Sequence, residues 1–346
     1  MISKKLFGKL DDGKEVYIYT ITNRNDTQAS FITYGATWQS MIVKDKNGCK
    51  RDVLIGFDDL KGHVERSDYQ GNIVGRYANR ISDGSFTING KKINITKNEK
   101  NMTCLHGGGN FSKAVWDAQE ISDNAVKFSL VSPDGEDGFP GEFKTSVTYT
   151  LSDEDELSID YSAVCTEDTP INMTNHAYFN LGGYERANVL SQEILIRASH
   201  FTPITADSIP TGEIRDVTNT AFDFREMKSI ERDHMWDDEQ LNNNRHGYDH
   251  NFCLDHEGDL PDAEAYDAES GIYMQMRTTL PGVQLYTGNF LDDVLGKGNT
   301  KMGRYAGFCL ETQSYPDTPN RPEFPSCNYA AGEEYKSSTS FKFLVK

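Results

Sequence analysis

The sequence has few basic residues for its length, and this argues against several classes of partner. Among 346 residues there are 35 Lys and Arg against 53 Asp and Glu, which gives a formal net charge of −18. Such a charge repels phosphate backbones and anionic lipid surfaces. We therefore expect neither nucleic acid nor a membrane as a partner, and a neutral small molecule fits best.

Long hydrophobic runs and paired cysteines are also missing. No stretch approaches the ~18 apolar residues that span a bilayer, and the N-terminal residues contain no apolar segment of a secretory signal. The 6 cysteines form no CxxC pair, so they predict free thiols rather than a zinc site or a disulfide framework. These absences together predict a cytoplasmic protein.

Two common catalytic signatures are absent as well. There is no GxxxxGK[ST] segment and no GxSxG segment, so a phosphate-binding loop and an activated serine are not indicated. A thiol nucleophile would need an electropositive neighbourhood, which this acidic composition does not suggest. The chemistry is therefore expected to depend on histidines and carboxylates.

Period-two alternation between turn residues predicts a chain made mostly of strands. Short helices are expected only near 60–66 and 292–295, and long loops over 237–247 and 255–269. No internal repeat or boundary is visible, so we expect one all-β domain over residues 1–346, a large antiparallel β-sandwich. The predicted strands cover residues 30–35, 38–44, 52–57, 85–90, 92–96, 126–131, 144–151, 156–164, 194–198, 271–279 and 341–346.

Two glycine-rich segments contain candidate functional residues. In 71–81, Arg76 and Arg80 can present planar donor groups to hydroxyl or carboxylate oxygens, and one of the two is expected to be structural. In 104–109, His106 precedes three glycines that allow the backbone to approach a ligand closely. A histidine in a turn is compatible with a structural or a catalytic role, so the residues alone leave both open.

Two further segments combine apolar and polar residues. Alternation in 172–183 would place His176, Tyr178 and Asn180 on one face of a strand, a dense polar array that requires a partner. Glu311 is expected to end an apolar strand, where a carboxylate must be bound or paired and is a candidate base.

Asp249 and Gln284 are additional hydrogen-bonding candidates. His246, Asp249 and His250 also suggest a metal site, but their spacing does not match HExxH and Gly247 argues against a helix. We therefore expect no metal.

Several motifs of this sequence resemble those of the aldose 1-epimerase family, also called the galactose mutarotase family, and they occur in the same order along the chain. The resemblance implies a galactose mutarotase-like supersandwich whose open face binds a free hexose and interconverts its α and β anomers. It implies no metal and no organic cofactor. The motifs are GRYANRI at 75–81, LHGG at 105–108, SPDGEDGFPG at 132–141, TNHAYFNL at 174–181, YDH at 248–250, PGVQLYTGNF at 281–290 and ETQ at 311–313.

The resemblance also implies roles for individual residues. Glu311 matches the general base that takes the proton of the C1 hydroxyl, and His176 matches the general acid that protonates the ring oxygen. His106 matches a second histidine, which binds the sugar and is a further catalytic candidate. The substrate-binding positions implied are Asn79, Arg80, His106, His176, Tyr178, Asp249 and Gln284.

Anomer interconversion independently requires a base and an acid, because the hemiacetal opens to an aldehyde and closes again. We expect a partly buried Glu311 with a raised pKa and a His176 with a pKa near the ordinary ~6.5. Tyr178, Tyr248 or Phe290 could supply an apolar platform for the sugar.

Three alternatives remain at this point. They are a noncatalytic carbohydrate-binding sandwich, a glycoside hydrolase using Asp249 and Glu311, and a hexose-6-phosphate 1-epimerase, which would need an added basic cluster. The expected assembly is a monomer or a homodimer.

Overall fold

The computed structural model describes residues 1–66 and 68–346, and its main feature is a nine-stranded antiparallel sheet. Buried residues alternate with less buried ones along its long strands, for example along Phe143–Leu151, as expected for strands with one face in a core. Glu334–Val345 lies in the middle, paired with Glu156–Cys165 on one side and Ile272–Thr278 on the other. The strands in spatial order are Asp117–Glu120, Ala125–Ser132, Phe143–Leu151, Glu156–Cys165, Glu334–Val345, Ile272–Thr278, Ala263–Tyr266, Glu193–Ile196 and Lys228–Ser229.

A five-stranded antiparallel sheet from the N-terminal part of the chain packs on this sheet. The ring of Phe31 stacks on Tyr149 with centroids 4.1 Å apart, and Trp38 contacts Phe341 at 5.5 Å. These aromatic pairs join the two sheets face to face in one large hydrophobic core. The strands in order are Ile2–Lys9, Glu15–Thr22, Gln28–Ile32, Thr37–Lys44 and Lys50–Asp52.

A second five-stranded antiparallel sheet carries three of the predicted site residues, Asp249, Gln284 and Glu311. Leu310 and Phe252 on one of its faces belong to the same hydrophobic core. On that face, the hydroxyl groups of Thr312 and of Thr339 in the nine-stranded sheet form a hydrogen bond of 2.7 Å. Its opposite face is therefore free to line a cavity. The strands in order are Arg215–Asp216, His200–Thr202, Asp249–Cys253, Gly282–Tyr286 and Cys309–Gln313.

Short pairs and helices complete the chain. Five antiparallel pairs join Arg80–Ile81 with Cys104–Leu105, Ile73–Val74 with Thr174–Asn175, Ser85–Ile88 with Lys91–Asn94, Thr169–Pro170 with Asn328–Tyr329, and Val294–Leu295 with Lys301–Met302. The α-helices among the described residues are Leu60–Glu65, Asn110–Lys113 and Glu239–Asn243. The prediction of an all-β antiparallel sandwich is confirmed, as is the short helix near 60–66. None of the helices in 1–66 and 68–346 has the length and apolarity needed to cross a membrane.

The predicted helix at 292–295 is wrong. Asp293 has a left-handed φ of 42°, which a right-handed helix cannot accommodate, and Val294–Leu295 pairs as a strand instead. The predicted strand at 52–57 is also wrong beyond Asp52, where Lys50–Asp52 ends.

Both predicted long loops contain regular structure. Within 237–247, the carboxylate of Asp238 accepts the Gln240 amide at 2.8 Å and caps the helix Glu239–Asn243. Within 255–269, Ala263–Tyr266 is a strand paired on both sides, because its small apolar residues fit the buried face of the nine-stranded sheet.

Candidate active site

The second five-stranded sheet brings three predicted residues to one face through strand register alone. Gln284 lies opposite Glu311, and Asp249 lies on the next strand, diagonal to Gln284. Because side chains alternate along a strand, these residues point away from the core that Leu310 and Phe252 join. Glu311 is the middle residue of Cys309–Gln313, so the prediction that it ends its strand is wrong.

This face borders a cavity of about 370 Å³, a size that suits a small molecule. Seven of the predicted residues line it, whereas Gln284 does not. The lining residues are Asp68, Tyr69, Asn79, Arg80, Glu99, Lys100, Leu105, His106, His176, Tyr178, Ala206, Ser208, Asn243, Asp249, Tyr286, Phe290, Leu291 and Glu311.

His176 and Glu311 meet in this cavity. Nε2 of His176 lies 3.6 Å from Oε1 of Glu311, and both side chains are buried. The other ring nitrogen, Nδ1, lies 3.6 Å from the sulfur of Cys309. The imidazole also stacks against two aromatic rings, Tyr178 at 5.0 Å and Tyr69 at 6.0 Å. Oε2 of Glu311 has no hydrogen-bond partner within the described part of the chain, so it is available to a ligand.

His106 approaches the same place from a tight turn. Its ring centroid lies 5.2 Å from that of His176, and its Nδ1 accepts the peptide N–H of Asn79 at 3.1 Å. The turn requires glycine at the next position: Gly107 has a φ of 67°, and a Cβ there would lie 2.2 Å from the Gly75 carbonyl oxygen.

The two arginines lie in different surroundings. Arg80 donates to both oxygens of Glu99 at 2.9 Å and lies 3.8 Å from Asp249, at the cavity wall. Arg76 is buried away from the cavity, where its guanidinium donates to Ser132 and to the peptide carbonyls of 133, 140 and 141. Arg76 is therefore the structural arginine.

Gln284 lies behind the cavity wall and contacts residues that face it. Its amide nitrogen donates to Oδ1 of Asp249 at 2.8 Å, and its oxygen accepts from Gln313 at 3.0 Å. In this structure Gln284 orients the Asp249 carboxylate.

Burial shifts the pKa of every titratable group at the centre. It lowers the pKa of His176 to about 4, so the expected value near the ordinary one is wrong. Burial and the neighbouring Asp249 raise the pKa of Glu311 well above its usual range, partly opposed by Arg80. Burial, His176 and Arg80 lower the pKa of His106 well below its usual range.

Three central residues are of the kinds that ligate metals. His106, His176 and Glu311 place possible ligand atoms within 4.8 Å of one another. Nδ1 of His106, however, accepts a peptide N–H, so the proton of the neutral ring sits on Nε2 and no lone pair faces the cavity. This donor set does not suit a metal ion. The spacing-based alternative also fails, since His250 packs in the core against Phe222 at 4.6 Å.

Other expectations about individual residues are corrected by the structure. The strand ends at Asn175, so His176 and Tyr178 reach the cavity from an irregular segment. Asn180 is buried elsewhere, donating to the carbonyls of Arg186 and Ala306. Tyr248 belongs to the core and donates to the Ala221 carbonyl, whereas Phe290 and Tyr178 do line the cavity.

Sequence reasoning missed several lining residues, among them Tyr69, Glu99 and Tyr286. Glu99 pairs with Arg80 and Tyr69 packs against His106 at 4.6 Å. Tyr286 lies inside a quoted motif, two residues after Gln284, and period-two alternation would have placed it on the same face. Tyr69 and Glu99 gave no comparable signal.

Comparisons with known proteins identify the family of the chain. A family model described as aldose 1-epimerase matches residues 17–342. The chain is 42% identical to the galactose mutarotase of Homo sapiens over 347 residues, covering 99% of each protein. It is 37% identical to the aldose 1-epimerase of Haemophilus influenzae, covering 96% of this chain and 97% of that protein. The crystal structure of an aldose epimerase homologue from C. elegans has a TM-score of 0.88 at 29% identity, covering 94% of this chain and 98% of the other.

Proposed function

The chain belongs to the aldose 1-epimerase family and is an isomerase with mutarotase activity, and from this premise we propose that Glu311 and His176 transfer the protons of the reaction. The observation that supports these roles is the 3.6 Å approach of His176 Nε2 to Glu311 Oε1 on the wall of one cavity. Glu311 is the base and His176 is the acid.

The proton balance of the proposed reaction is simple. Glu311 takes the O1 proton and the imidazolium of His176 gives a proton to O5, while the C1–O5 bond breaks and C1–O1 becomes a carbonyl. Rotation about C1–C2 and closure on the other face return both protons. Because burial raises the pKa of Glu311 and lowers that of His176, the one proton that the pair holds rests on Glu311, and its transfer across the 3.6 Å contact to His176 forms the carboxylate and the imidazolium from which the reaction starts. Each positioned transfer contributes about 10² to 10⁴ in rate.

The proposed substrate is a free, uncharged aldohexose such as D-galactose or D-glucose. Arg80 is paired with Glu99 and Asp249, and Lys100 is paired with Asp207 at 3.1 Å. No cation among the described lining residues is left over for a phosphate, which favours a free sugar over a hexose 6-phosphate. An excess of glucose 6-phosphate should therefore leave the rate with galactose unchanged.

Arg80, Asn79 and Asp249 are the proposed hydroxyl-binding residues, with His106 and Tyr178, and Gln284 acts with them by orienting Asp249. Aromatic faces at the cavity, such as Tyr286 and Phe290, would contact the CH groups of the sugar. A noncatalytic binding protein would need these residues but not the buried histidine and glutamate pair, whose raised and lowered pKa values are typical of catalytic groups.

We also propose that residues 1–346 form one domain without a metal or organic cofactor. One hydrophobic core extends over all three large sheets, which supports a single unit. The six cysteines are free and five of them are buried, which supports a reducing, cytoplasmic location. The proposed assembly is a monomer or a homodimer.

Polarimetry tests the proposed roles. Wild-type protein treated with EDTA should speed the relaxation of fresh α-D-galactose. Glu311→Gln and His176→Gln should each remove most of this acceleration, at least about 100-fold, with sugar binding retained in calorimetry. His256→Gln, which changes an exposed histidine, is the matched control. A wild-type rate in either active-site variant contradicts the assignment.

A further inference from the structure

Two hydrogen bonds of opposite direction join His106 to Asn79. The peptide N–H of His106 donates to the Asn79 carbonyl at 3.0 Å, and the peptide N–H of Asn79 donates to Nδ1 of His106 at 3.1 Å. Both residues have left-handed backbones, with φ of 61° at Asn79 and 50° at His106. Such conformations are uncommon outside glycine and persist only where the surrounding structure holds them. The orientation of the His106 ring is thus set by two backbone turns.

The partner of Nδ1 determines where the proton of the ring lies. A peptide N–H can only donate, so Nδ1 of His106 must offer its lone pair, and the neutral ring carries its proton on Nε2. A second proton on Nδ1 would point at the Asn79 N–H. Arg80 and His176 beside the ring further oppose a positive charge, while Glu311 and Tyr69 are further titratable groups near it, and Glu99 and Asp249 line the same cavity.

His176 differs from His106 in this respect. Its Nδ1 faces the sulfur of Cys309 at 3.6 Å, and a thiol can either donate or accept a hydrogen bond. Both nitrogens of His176 can therefore change protonation, whereas only one state of His106 fits its surroundings.

We infer that His106 is a fixed N–H donor that stabilises the negative charge developing on O5, without gaining or losing a proton, and that His176 alone exchanges protons there. This division of roles rests on the proposed function. A positioned neutral donor lowers the barrier because it needs no reorganisation as the C1–O5 bond breaks. No bond to His106 forms or breaks, so the proton balance given above is unchanged.

Glutamine substitutions distinguish a fixed donor from a proton carrier, since the glutamine amide donates a hydrogen bond but does not titrate at neutral pH. His106→Ala should lower kcat by about 10² to 10³, the usual cost of removing one such donor. His106→Gln should recover to within about tenfold of the wild-type kcat and keep the wild-type pH profile. His176→Gln is the matched control and should stay as inactive as His176→Ala.

Nitrogen-15 NMR of histidine-labelled wild-type protein reads the tautomer directly. We expect His106, assigned by its loss in His106→Gln, to show a protonated Nε2 and a bare Nδ1 with unchanged shifts from pH 6 to pH 9. A protonated Nδ1, a shift that titrates in this range, or a folded His106→Gln variant as inactive as His106→Ala would overturn the inference. Full activity of Glu311→Gln or His176→Gln would instead overturn the proposed function, and the tautomer result would be unaffected.

Discussion

His250 should make the protein less stable in mild acid. Its ring is fully buried and packs edge-on against Phe222 and Phe201, Nδ1 accepts the Asp249 N–H at 3.2 Å, and Nε2 has no partner among residues 1–66 and 68–346. Burial, with a smaller effect of Arg215, lowers the pKa of His250 to about 3. The folded protein therefore keeps this ring neutral at a pH where the unfolded chain binds a proton.

The size of the effect follows from the two pKa values. The unfolded pKa is about 6.5, so above it His250 adds no pH dependence, and below it each pH unit favours unfolding by about 1.4 kcal/mol until the folded pKa is reached. Between pH 7 and pH 5 the folded protein should lose about 2 kcal/mol from this residue alone, a large part of a typical stability of about 5–15 kcal/mol. Buried His63, with a pKa of about 4, acts in the same direction.

The measurement is guanidinium unfolding followed by tryptophan fluorescence at pH 7 and pH 5. His250→Phe removes the titrating group and keeps an aromatic ring beside Phe222. The substitution can change the unfolding free energy by the same amount at both pH values, and this constant change does not affect the comparison. Between pH 7 and pH 5, the unfolding free energy of His250→Phe should fall by about 2 kcal/mol less than that of the wild type. His234→Gln, on the surface loop that follows Glu231, is the control and should behave as the wild type.

The result that would refute this reasoning is an equal loss in His250→Phe and the wild type. It would mean that the buried ring accepts a proton without cost, for example through a water that reaches Nε2. Glu311 has the opposite effect on the total pH dependence, since its raised pKa stabilises the folded protein as the pH falls. Both proteins contain Glu311, so its contribution cancels when the loss of unfolding free energy in His250→Phe is subtracted from that in the wild type.

Two other substitutions separate structural from catalytic effects. Arg76→Lys should lower the unfolding free energy by about 3 kcal/mol, because a lysine cannot make the planar set of hydrogen bonds to Ser132 and the nearby carbonyls. The KM for the sugar should stay unchanged. A shifted KM in a variant of full stability would contradict a structural role for Arg76. In the pH profile of kcat/KM, Asp249→Asn should lower the apparent pKa that belongs to Glu311, because the charge of Asp249 raises the pKa of Glu311. An unchanged apparent pKa would show that the two carboxylates do not interact.

The sequence predicted the sheet and the chemistry to different extents. The alternation in 144–151 corresponds to a real strand with alternating burial, since a period of two leaves little choice when one face joins a core. The short elements were less predictable. Asp293 adopts a left-handed backbone conformation that no local sequence pattern predicts, and for this reason the segment expected to be a helix contains a strand instead.

The predicted site depended on motifs rather than on local physics. His106, His176 and Glu311 are far apart in the sequence, and only the resemblance placed them together. The structure added what a list of residues cannot contain: the partners of each ring nitrogen, and the burial that lowers the pKa of His176 to about 4. Tyr69 was missed because nothing in its short loop indicated that the loop folds over two histidines.

The position of Glu334–Val345 in the middle of the nine-stranded sheet determines when this sheet can be completed during synthesis of the chain. A hydrogen bond between Ser162 and Glu334 closes a span of 172 residues, so Glu156–Cys165 leaves the ribosome long before its neighbour exists. Until then its edge exposes unpaired peptide groups, the kind of surface that invites association with other chains. The pairing of this edge, and with it the completion of the core, must wait until Glu334–Val345 has been synthesised.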